Sequence, residues 1–191
     1  MWVIVGLGNP DAKYEGTRHN TGRDAVRFFG SKTGFTDWRK NTKAVALVAG
    51  DKKVTLLLPD TYMNKSGNAV AKFVKSVKAA ERLVVVHDDL DLPLGTIKIS
   101  FGRGSGGHKG AESIMRAVKT KKFVRVRVGV SPANASGKIK KPQGEERVDT
   151  FILSKFKPTE QEQLKKVFTR TADALDTLVK DGREKAMNVF N

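Results

Sequence analysis

His19 and Asn9 are the first residues of the chain whose types and spacing suggest chemistry. An apolar run at residues 2–5 leads into the turn-forming sequence GLGNP, which places Asn9 at the end of a predicted strand. His19 follows ten residues later and is one of only three histidines. An ordinary imidazole, with a pKa of about 6.5, is largely neutral near pH 7 and can accept a proton. His19 is therefore a candidate general base with a carboxamide nearby, although this segment alone also allows a capping Asn9 and an incidental His19.

Asp88 is a second candidate, because it lies where a buried strand runs into acids in the sequence LVVVHDDLD. Ligands of open α/β sheets bind at the carboxyl ends of the strands. Asp88 can orient a histidine and stabilise its protonated form. It can also join Asp89 and Asp91 in a magnesium site, or the three acids can cap the next segment. Spacing alone leaves these three hypotheses open, and His87, which ends the apolar run, is interpreted as structural.

Asn64 lies between a predicted strand and a predicted helix, in the sequence PDTYMNKSG. An amide at such a position can donate to a developing oxyanion or hold a water molecule. Capping of the helix by Asn64 or Ser66 explains the same pattern equally well. A catalytic role for Asn64 thus stays open at this point.

A glycine-rich loop contains a formal GxGxxG pattern, formed by Gly102, Gly104 and Gly107. The dinucleotide fingerprint also requires an acid about 20 residues further on, and that acid is missing here. We therefore interpret the loop as a mobile segment that approaches a ligand, with Lys109 available for phosphate. The chain also lacks a complete GxSxG elbow, so a water molecule activated by a neutral histidine is the simpler nucleophile.

The elements that must position these residues alternate between strands and helices. Apolar runs bounded by turn residues predict strands at 2–7, 44–49, 53–58, 83–87, 96–101 and 123–130. Helical spacing predicts helices at 66–78, at 110–119 and from a capping box of Thr159 and Glu162 to Gly182. The strands at 44–49 and 53–58 predict a hairpin. We expect an α/β protein, a single three-layer α/β/α domain over residues 1–191 with a twisted mixed sheet flanked by helices. Residues 131–144, turn-rich and basic, should be the least ordered segment.

The charge of the chain points to a polyanionic partner. The formal net charge is +16, and residues 98–141 hold 12 basic residues against one acid, Glu112. Such an imbalance favours nucleic acid as the partner. The absence of cysteine excludes disulfides and thiolate chemistry. No run approaches the roughly 18 apolar residues of a membrane span. No predicted helix is basic on one face and rich in Trp and Leu on the other, so no membrane partner is expected.

Four motifs carry a family resemblance: VGLGNP followed by TRHN, then YMNKSG, then HDDLDLPLG, then GGHKG. In this order and spacing they resemble bacterial-type peptidyl-tRNA hydrolase, whereas residues 131–147 match poorly. The resemblance implies an esterase that cleaves the bond between peptide and tRNA in peptidyl-tRNA and returns the tRNA to translation. It further implies a cytoplasmic monomer that uses no metal and no other cofactor. A catalytically inactive RNA-binding relative is the alternative, and a nucleotide-binding enzyme is a third hypothesis.

The resemblance also assigns roles to particular residues. It makes His19 the general base and Asp88 its supporting carboxylate, with Asn9 near the scissile ester, where it helps to reject aminoacyl-tRNA. Asn64 would position the substrate or stabilise the oxyanion. The remaining implied contacts are Tyr14, Tyr62 and Met63 around the peptide and the terminal adenosine, His108 and Lys109 in a gating loop, and Arg127 on acceptor-stem phosphates. Lys109 replaces the asparagine that the family often has in GGHNG, which favours a phosphate contact at this position.

Overall fold

The computed structural model describes residues 1–134 and 138–191, and in these residues a mixed sheet forms the centre of the molecule. The strand order is β2-β3-β4-β1-β5-β7-β6. β1 pairs in parallel with β4 and β5, and β5 with β7, while β2–β3, β3–β4 and β6–β7 are antiparallel. The strands are β1 Trp2–Gly6, β2 Arg39–Asn41, β3 Ala46–Gly50, β4 Val54–Pro59, β5 Leu83–Pro93, β6 Ile97–Phe101 and β7 Val124–Ser131.

Helices cover both faces of this sheet. They are α1 Thr21–Thr33, α2 Ser66–Val70, α3 Val77–Ala80, α4 Lys109–Val118, α5 Glu145–Ile152, α6 Gln161–Asp181 and α7 Arg183–Phe190. Single 3-10 turns occur at Ala12–Tyr14, Arg18–Asn20, Met63–Lys65 and Pro158–Glu160. In the described part of the chain, no helix is both long and apolar enough to cross a membrane.

Two apolar cores follow from the alternation of side chains along the strands. Ile4 of β1 belongs to the core under α1 and α6, which includes Phe29 and Leu175. Its neighbours Val3 and Val5 belong to the core on the opposite face, under α2 and α4. The predicted fold class, a mixed sheet between two helical layers, is therefore confirmed.

Several predicted elements are confirmed and others need correction. β3 and β4 form the predicted hairpin, and α6 ends at Gly182 as expected. The single helix predicted over 66–78 is wrong, because α2 ends at Val70 and α3 begins only at Val77. The capping box lies two residues earlier than predicted, since the Glu160 carboxylate accepts the Lys157 N–H at 2.7 Å. β2, α1, α5 and α7 were not predicted.

The segment predicted to be least ordered is described only in part, because residues 135–137 lie outside the described residues. Its described remainder contains a β-bridge between Ala133 and Ile139. Helix α5 begins immediately after it.

β5 is longer than the sequence predicted, and this difference shapes the site. The apolar run ends at His87, but the strand continues to Pro93 beside β7, with a register irregularity between Asp89 and Pro93. The neighbouring β1 ends at Gly6, which pairs with Val86. β5 therefore projects past the end of β1, and Asp88 lies on the projecting part.

Candidate active site

His19 lies on the 3-10 turn Arg18–Asn20, which connects the region after β1 to helix α1. The start of α1 packs directly on the backbone of β5. A Cβ atom added to Gly22 would lie 2.2 Å from the carbonyl oxygen of Val86, so only glycine permits this approach. The close contact brings the preceding turn, and with it the buried His19 side chain, beside the projecting end of β5.

Asp88 joins two imidazoles through hydrogen bonds. Its carboxylate lies 3.0 Å from Nδ1 of His19 and 2.9 Å from Nε2 of His108. Nδ1 of His108 accepts the backbone N–H groups of Gly110 and Ala111, each at 3.2 Å, at the start of α4. The proton of His108 is therefore on Nε2, and His108 donates to Asp88.

The same carboxylate fixes the tautomer of His19. Since Asp88 accepts from Nδ1, a neutral His19 carries its proton there and exposes the lone pair of Nε2. Within residues 1–134 and 138–191, Nε2 of His19 makes no hydrogen bond. This is the protonation pattern that a general base requires.

The electrostatics of the pair favour the charged forms of both groups. Burial alone would raise the pKa of Asp88, but the His19 and His108 imidazoles hold it well below its ordinary value of 3.8. For His19, burial lowers the pKa, yet the charge and hydrogen bond of Asp88 outweigh burial and raise the pKa above 6.5. Asp149 of α5 adds to this rise and Lys109 opposes it. Asp88 therefore strengthens His19 as a base.

A cavity of about 190 Å³ lies over this pair. Its floor contains His19, Asp88 and His108, and residues of the glycine loop form one wall. Segment 141–152, which includes α5, covers the other side with Val148, Asp149 and Ile152. Four of the residues predicted from the sequence, His19, Asp88, His108 and Lys109, thus line one cavity.

Asn9 lines a separate polar cavity, and its amide group is oriented by the backbone. Its Oδ1 accepts the N–H of Met63 at 2.9 Å, so its Nδ2 remains as a donor. The side chain of Asn20 holds the main chain of Asn9 on both sides, accepting from its N–H and donating to its carbonyl. Asn20 also borders the second cavity, together with Asp24 and Arg27.

Asn64, Tyr14 and Tyr62 lie outside both cavities. Asn64 is exposed on the turn Met63–Lys65 and caps no helix, since Lys65 is the N-cap of α2 and makes no side-chain cap. The Tyr62 hydroxyl donates to Asp11 at 3.0 Å. The Lys13 ammonium lies over the Tyr14 ring, 4.9 Å from its centroid.

Met63 corrects an expectation, because its side chain does not line an open cleft. It is buried in the core under α2 and α4. Only its backbone N–H acts near the site, where it orients Asn9.

The two residues predicted to contact phosphate are both paired with acids of this chain. Lys109 Nζ lies 3.4 Å from Asp149 and 3.7 Å from Glu145, in exposed ion pairs. Arg127 donates from Nε to Asp89 at 2.6 Å. The sequence predicted phosphate contacts for both side chains, but each of them is engaged by carboxylates of this chain.

The acids at the end of β5 do not form a shared magnesium site. Asp88 accepts from the two imidazoles, Asp89 pairs with Arg127, and Asp91 pairs with Lys141. His19, Asp88 and His108 do place ligand-type atoms within 4.8 Å of one another. However, the backbone donors at Nδ1 of His108 keep its proton on Nε2, the nitrogen that a metal would need. The donor set therefore suits hydrogen bonding better than metal binding.

Sequence reasoning missed two arginines around the site. Arg18 is buried between the rings of Phe151 and Phe156 and binds Glu160 with one nitrogen, 2.7 Å from Oε2. It therefore ties the turn of His19 to α5 and to the start of α6. Arg125, buried in β7, contacts the glycine loop. The available signal for Arg125 was the alternation of arginine and valine in the sequence VRVRV of an otherwise apolar strand.

The mixed sheet and the histidine–carboxylate pair in a crevice at its strand ends are those of an α/β enzyme that uses a general base. The family model of peptidyl-tRNA hydrolase matches residues 3–191. The chain is 39% identical to the peptidyl-tRNA hydrolase of Syntrophotalea carbinolica, over all of this chain and 97% of that protein. It is 38% identical to that of Thermodesulfovibrio yellowstonii, over 100% and 99% of the two chains. The chain belongs to the peptidyl-tRNA hydrolase family.

The structural comparison agrees with this assignment. The crystal structure of peptidyl-tRNA hydrolase from Acinetobacter baumannii matches with a TM-score of 0.87 and 34% sequence identity. The match covers 100% of this chain and 94% of that one.

Proposed function

We propose that this protein hydrolyses the ester bond of peptidyl-tRNA, with His19 as general base and Asp88 as its supporting carboxylate. The family assignment supports the reaction. One observation carries the residue assignment: Asp88 accepts from Nδ1 of His19, which leaves Nε2 as a lone pair beside the cavity. An RNA-binding protein without catalysis would gain nothing from this arrangement.

The proposed reaction balances with a single water molecule. The oxygen of the water attacks the ester carbonyl carbon while its proton passes to Nε2 of His19. Asp88 stabilises the imidazolium ion that forms. The ester carbon–oxygen bond then breaks, and the imidazolium returns the proton to the ribose oxygen of the terminal adenosine. The products are the free peptide acid and tRNA.

The two asparagines are proposed to recognise the substrate around the ester. Nδ2 of Asn9 is the free donor of its amide and can bind a carbonyl of the peptide. An aminoacyl-tRNA with a free amine lacks that carbonyl, so Asn9 would help to reject it. Asn64 is exposed and does not cap a helix, and it would donate to the oxyanion or position the ester. Tyr14 and Tyr62 would border the path of the peptide.

The acceptor stem is proposed to bind the exposed basic residues of the second half. Several of them have no ion-pair partner within the described ranges 1–134 and 138–191, namely Lys98, Arg103, Lys119, Lys121, Lys122, Lys138 and Lys140. Arg127 would add the two terminal nitrogens that its contact with Asp89 leaves free. We further propose that the chain acts as a monomeric single domain without a metal cofactor.

The decisive experiment follows ester loss from an N-blocked aminoacyl-tRNA, for the wild-type protein and His19→Ala. Positioned base catalysis contributes on the order of 10²–10⁴ in rate, so the variant should lose about that factor. Binding of the same tRNA should be retained. A wild-type protein that leaves the ester intact would end the proposal, and an unimpaired variant would remove His19 from it.

The tRNA surface has a separate test in salt. If about three phosphates are neutralised, the logarithm of the affinity should fall against the logarithm of salt concentration with a slope of roughly −2 to −3. A binding constant independent of salt contradicts the proposed basic surface.

A further inference from the structure

Arg125 is a buried arginine without an acidic partner among the described residues. It lies in β7 between Val124 and Val126 and is 4% exposed. Burying a guanidinium is costly unless its N–H groups are all well used, and the pKa of Arg125 is indeed lowered by burial. A position of this kind in an apolar strand calls for a role beyond packing.

The partners of Arg125 belong to the glycine loop. Its two terminal nitrogens donate to the carbonyl oxygens of Gly104 and Ser105, the latter at 3.3 Å. The same loop leads directly to His108, whose N–H donates to the Ser105 carbonyl at 3.3 Å. Arg125 therefore binds the segment that determines the position of His108, the N-cap residue of α4.

The loop needs such an anchor because its own sequence does not restrain it. Gly106 and Gly107 have φ angles of 65° and 81°, and a Cβ atom added at either would contact nothing within 4 Å. Glycine backbones lose more conformational entropy on ordering than those of other residues. The hydrogen bonds from Arg125 to the Gly104 and Ser105 carbonyls restrict the conformations of the loop. They therefore favour the loop conformation in which His108 contacts Asp88.

Arg125 also supports His108 through His87. Nδ1 of His87 donates to the carbonyl of Asp88 at 2.7 Å, so Nε2 is an acceptor, and Arg125 donates to it at 3.3 Å. The His87 ring then packs against the His108 ring, with centroids 4.5 Å apart. Two independent contacts, one through the loop and one through a ring, thus lead from Arg125 to His108.

We propose that Arg125 is a positioning residue that holds His108 as the second hydrogen-bond donor to Asp88. This inference rests on the proposed function, since it concerns the same His19–Asp88 pair. With His108 in place, Asp88 divides its acceptor capacity between two imidazoles. Without it, Asp88 would interact with His19 alone and hold a proton on His19 more strongly.

The first experiment reads the position of His108 without using the reaction. The chain has three histidines, so ¹⁵N-histidine NMR can resolve the imidazole N–H groups one by one. In the wild-type protein, the Nε2–H of His108 should be protected from exchange with water. In Arg125→Met that signal should broaden or disappear, and in Arg125→Lys, which keeps a charge without the planar fork, it should weaken.

A matched control comes from a second buried arginine. Arg23 donates to the carbonyl of Pro59 at 2.7 Å and pairs with Asp60, away from the glycine loop. Arg23→Met removes a guanidinium of comparable burial and should leave the His108 signal unchanged. Should Arg125→Met fail to fold, Arg125→Lys is judged by the same NMR criterion.

The second experiment is a double-mutant cycle on ester hydrolysis. Misplacement of a group at the site should lower kcat by about 10- to 100-fold in Arg125→Met, with KM little changed. The acidic limb of its pH profile should move to higher pH. In a His108→Asn background, where asparagine keeps the α4 cap but does not reach Asp88, Arg125→Met should cause no further loss.

The inference is overturned if the His108 signal survives in Arg125→Met, or if the loss of kcat is as large in the His108→Asn background as in the wild type. These outcomes differ from failure of the proposed function. A wild-type protein without ester hydrolysis would remove the function and leave the NMR result for His108 intact.

Discussion

Two aspartates of this protein, Asp88 and Asp24, are both largely buried, and their pKa values move in opposite directions. Burial is the largest influence on each and raises the pKa of both. The pKa of Asp88 is nevertheless well below 3.8, because the imidazoles of His19 and His108 compensate the charge of the carboxylate. The pKa of Asp24 rises to about 6 despite the nearby charges of Arg27 and Arg23.

The difference lies in direct hydrogen bonds. Asp88 accepts two of them, at 2.9 and 3.0 Å. Asp24 accepts none from the described residues and borders the polar cavity beside Asn9. Charges at a distance thus compensate burial less well than donors in contact. Asp88 is held ionised and can stabilise a protonated His19. Asp24 is also ionised at neutral pH, but its burial in that form lowers the stability of the protein.

The largest expected effect separates the two carboxylates by activity. Asp88→Asn should lower kcat by roughly 10²–10⁴, because the amide cannot stabilise the imidazolium of His19. The matched change Asp24→Asn should leave kcat within about twofold, as expected for a residue away from the reacting atoms. Single-turnover assays of peptidyl-tRNA hydrolysis measure both. Equal losses of kcat in the two variants would contradict a specific role of Asp88 in the reaction.

The pH dependence of activity tests the same carboxylate. Asp88 raises the pKa of His19, and only neutral His19 can act as base. The value of kcat/KM should therefore fall on the acid side, about tenfold per pH unit, with its midpoint above 6.5. In Asp88→Asn the midpoint should move to lower pH, because burial then acts on His19 without the compensating charge. Rate profiles between pH 5 and 9 decide this, and a midpoint that Asp88→Asn leaves in place would contradict it.

A smaller effect is expected on the stability of the protein when Asp24 is replaced. A carboxyl group whose pKa is raised by folding favours the native state below its unfolded pKa, and this contribution is lost as the pH rises through the folded value of about 6. The rise from 3.8 to about 6 sets an upper limit of about 3 kcal/mol. Asp24→Asn should thus increase the free energy of unfolding by about 1–2 kcal/mol at pH 8, after allowance for solvent screening, and by almost nothing at pH 3. Urea denaturation at the two pH values measures the change, and equal gains at both would argue against a raised pKa.

The smallest effect is expected at the edge of the Asp88 cavity. Lys109 forms exposed ion pairs with Asp149 and Glu145, so Lys109→Ala should change stability by less than about 1 kcal/mol. If Lys109 contacts phosphate, the variant should impair hydrolysis of full peptidyl-tRNA more than hydrolysis of a minimal ester without tRNA. Parallel assays on the two substrates check this, and equal losses would exclude the phosphate contact.

Much of the fold was predictable because its strands carry strong local signals. The apolar runs of β1, β4 and β7 gave their positions to within one or two residues. β2 was missed because Arg39, Lys40 and Asn41 form an edge strand of exposed or half-exposed polar residues, without an apolar face. The extension of β5 was missed for the same reason, since its acids lie beside β7 and not in an apolar run.

The candidate site was predictable in its identities more than in its contacts. The motif around His19 and the acids that follow the apolar run of β5 suggested a general base and a carboxylate partner for it. Three contacts could not be derived from any pattern in the chain: His108 on Asp88, Arg125 under the glycine loop, and Lys109 on α5. Each joins segments at least 20 residues apart.

The sequence alone determined six of the seven described sheet strands, the basic charge and the small set of residues that can move a proton. These follow from side-chain type and from periodicity, which are local properties of the chain. Only the tertiary structure decided that one aspartate receives two imidazole donors and another receives none. That outcome depends on where separate segments meet, and hydrogen bonds over about 3 Å have no counterpart in sequence spacing.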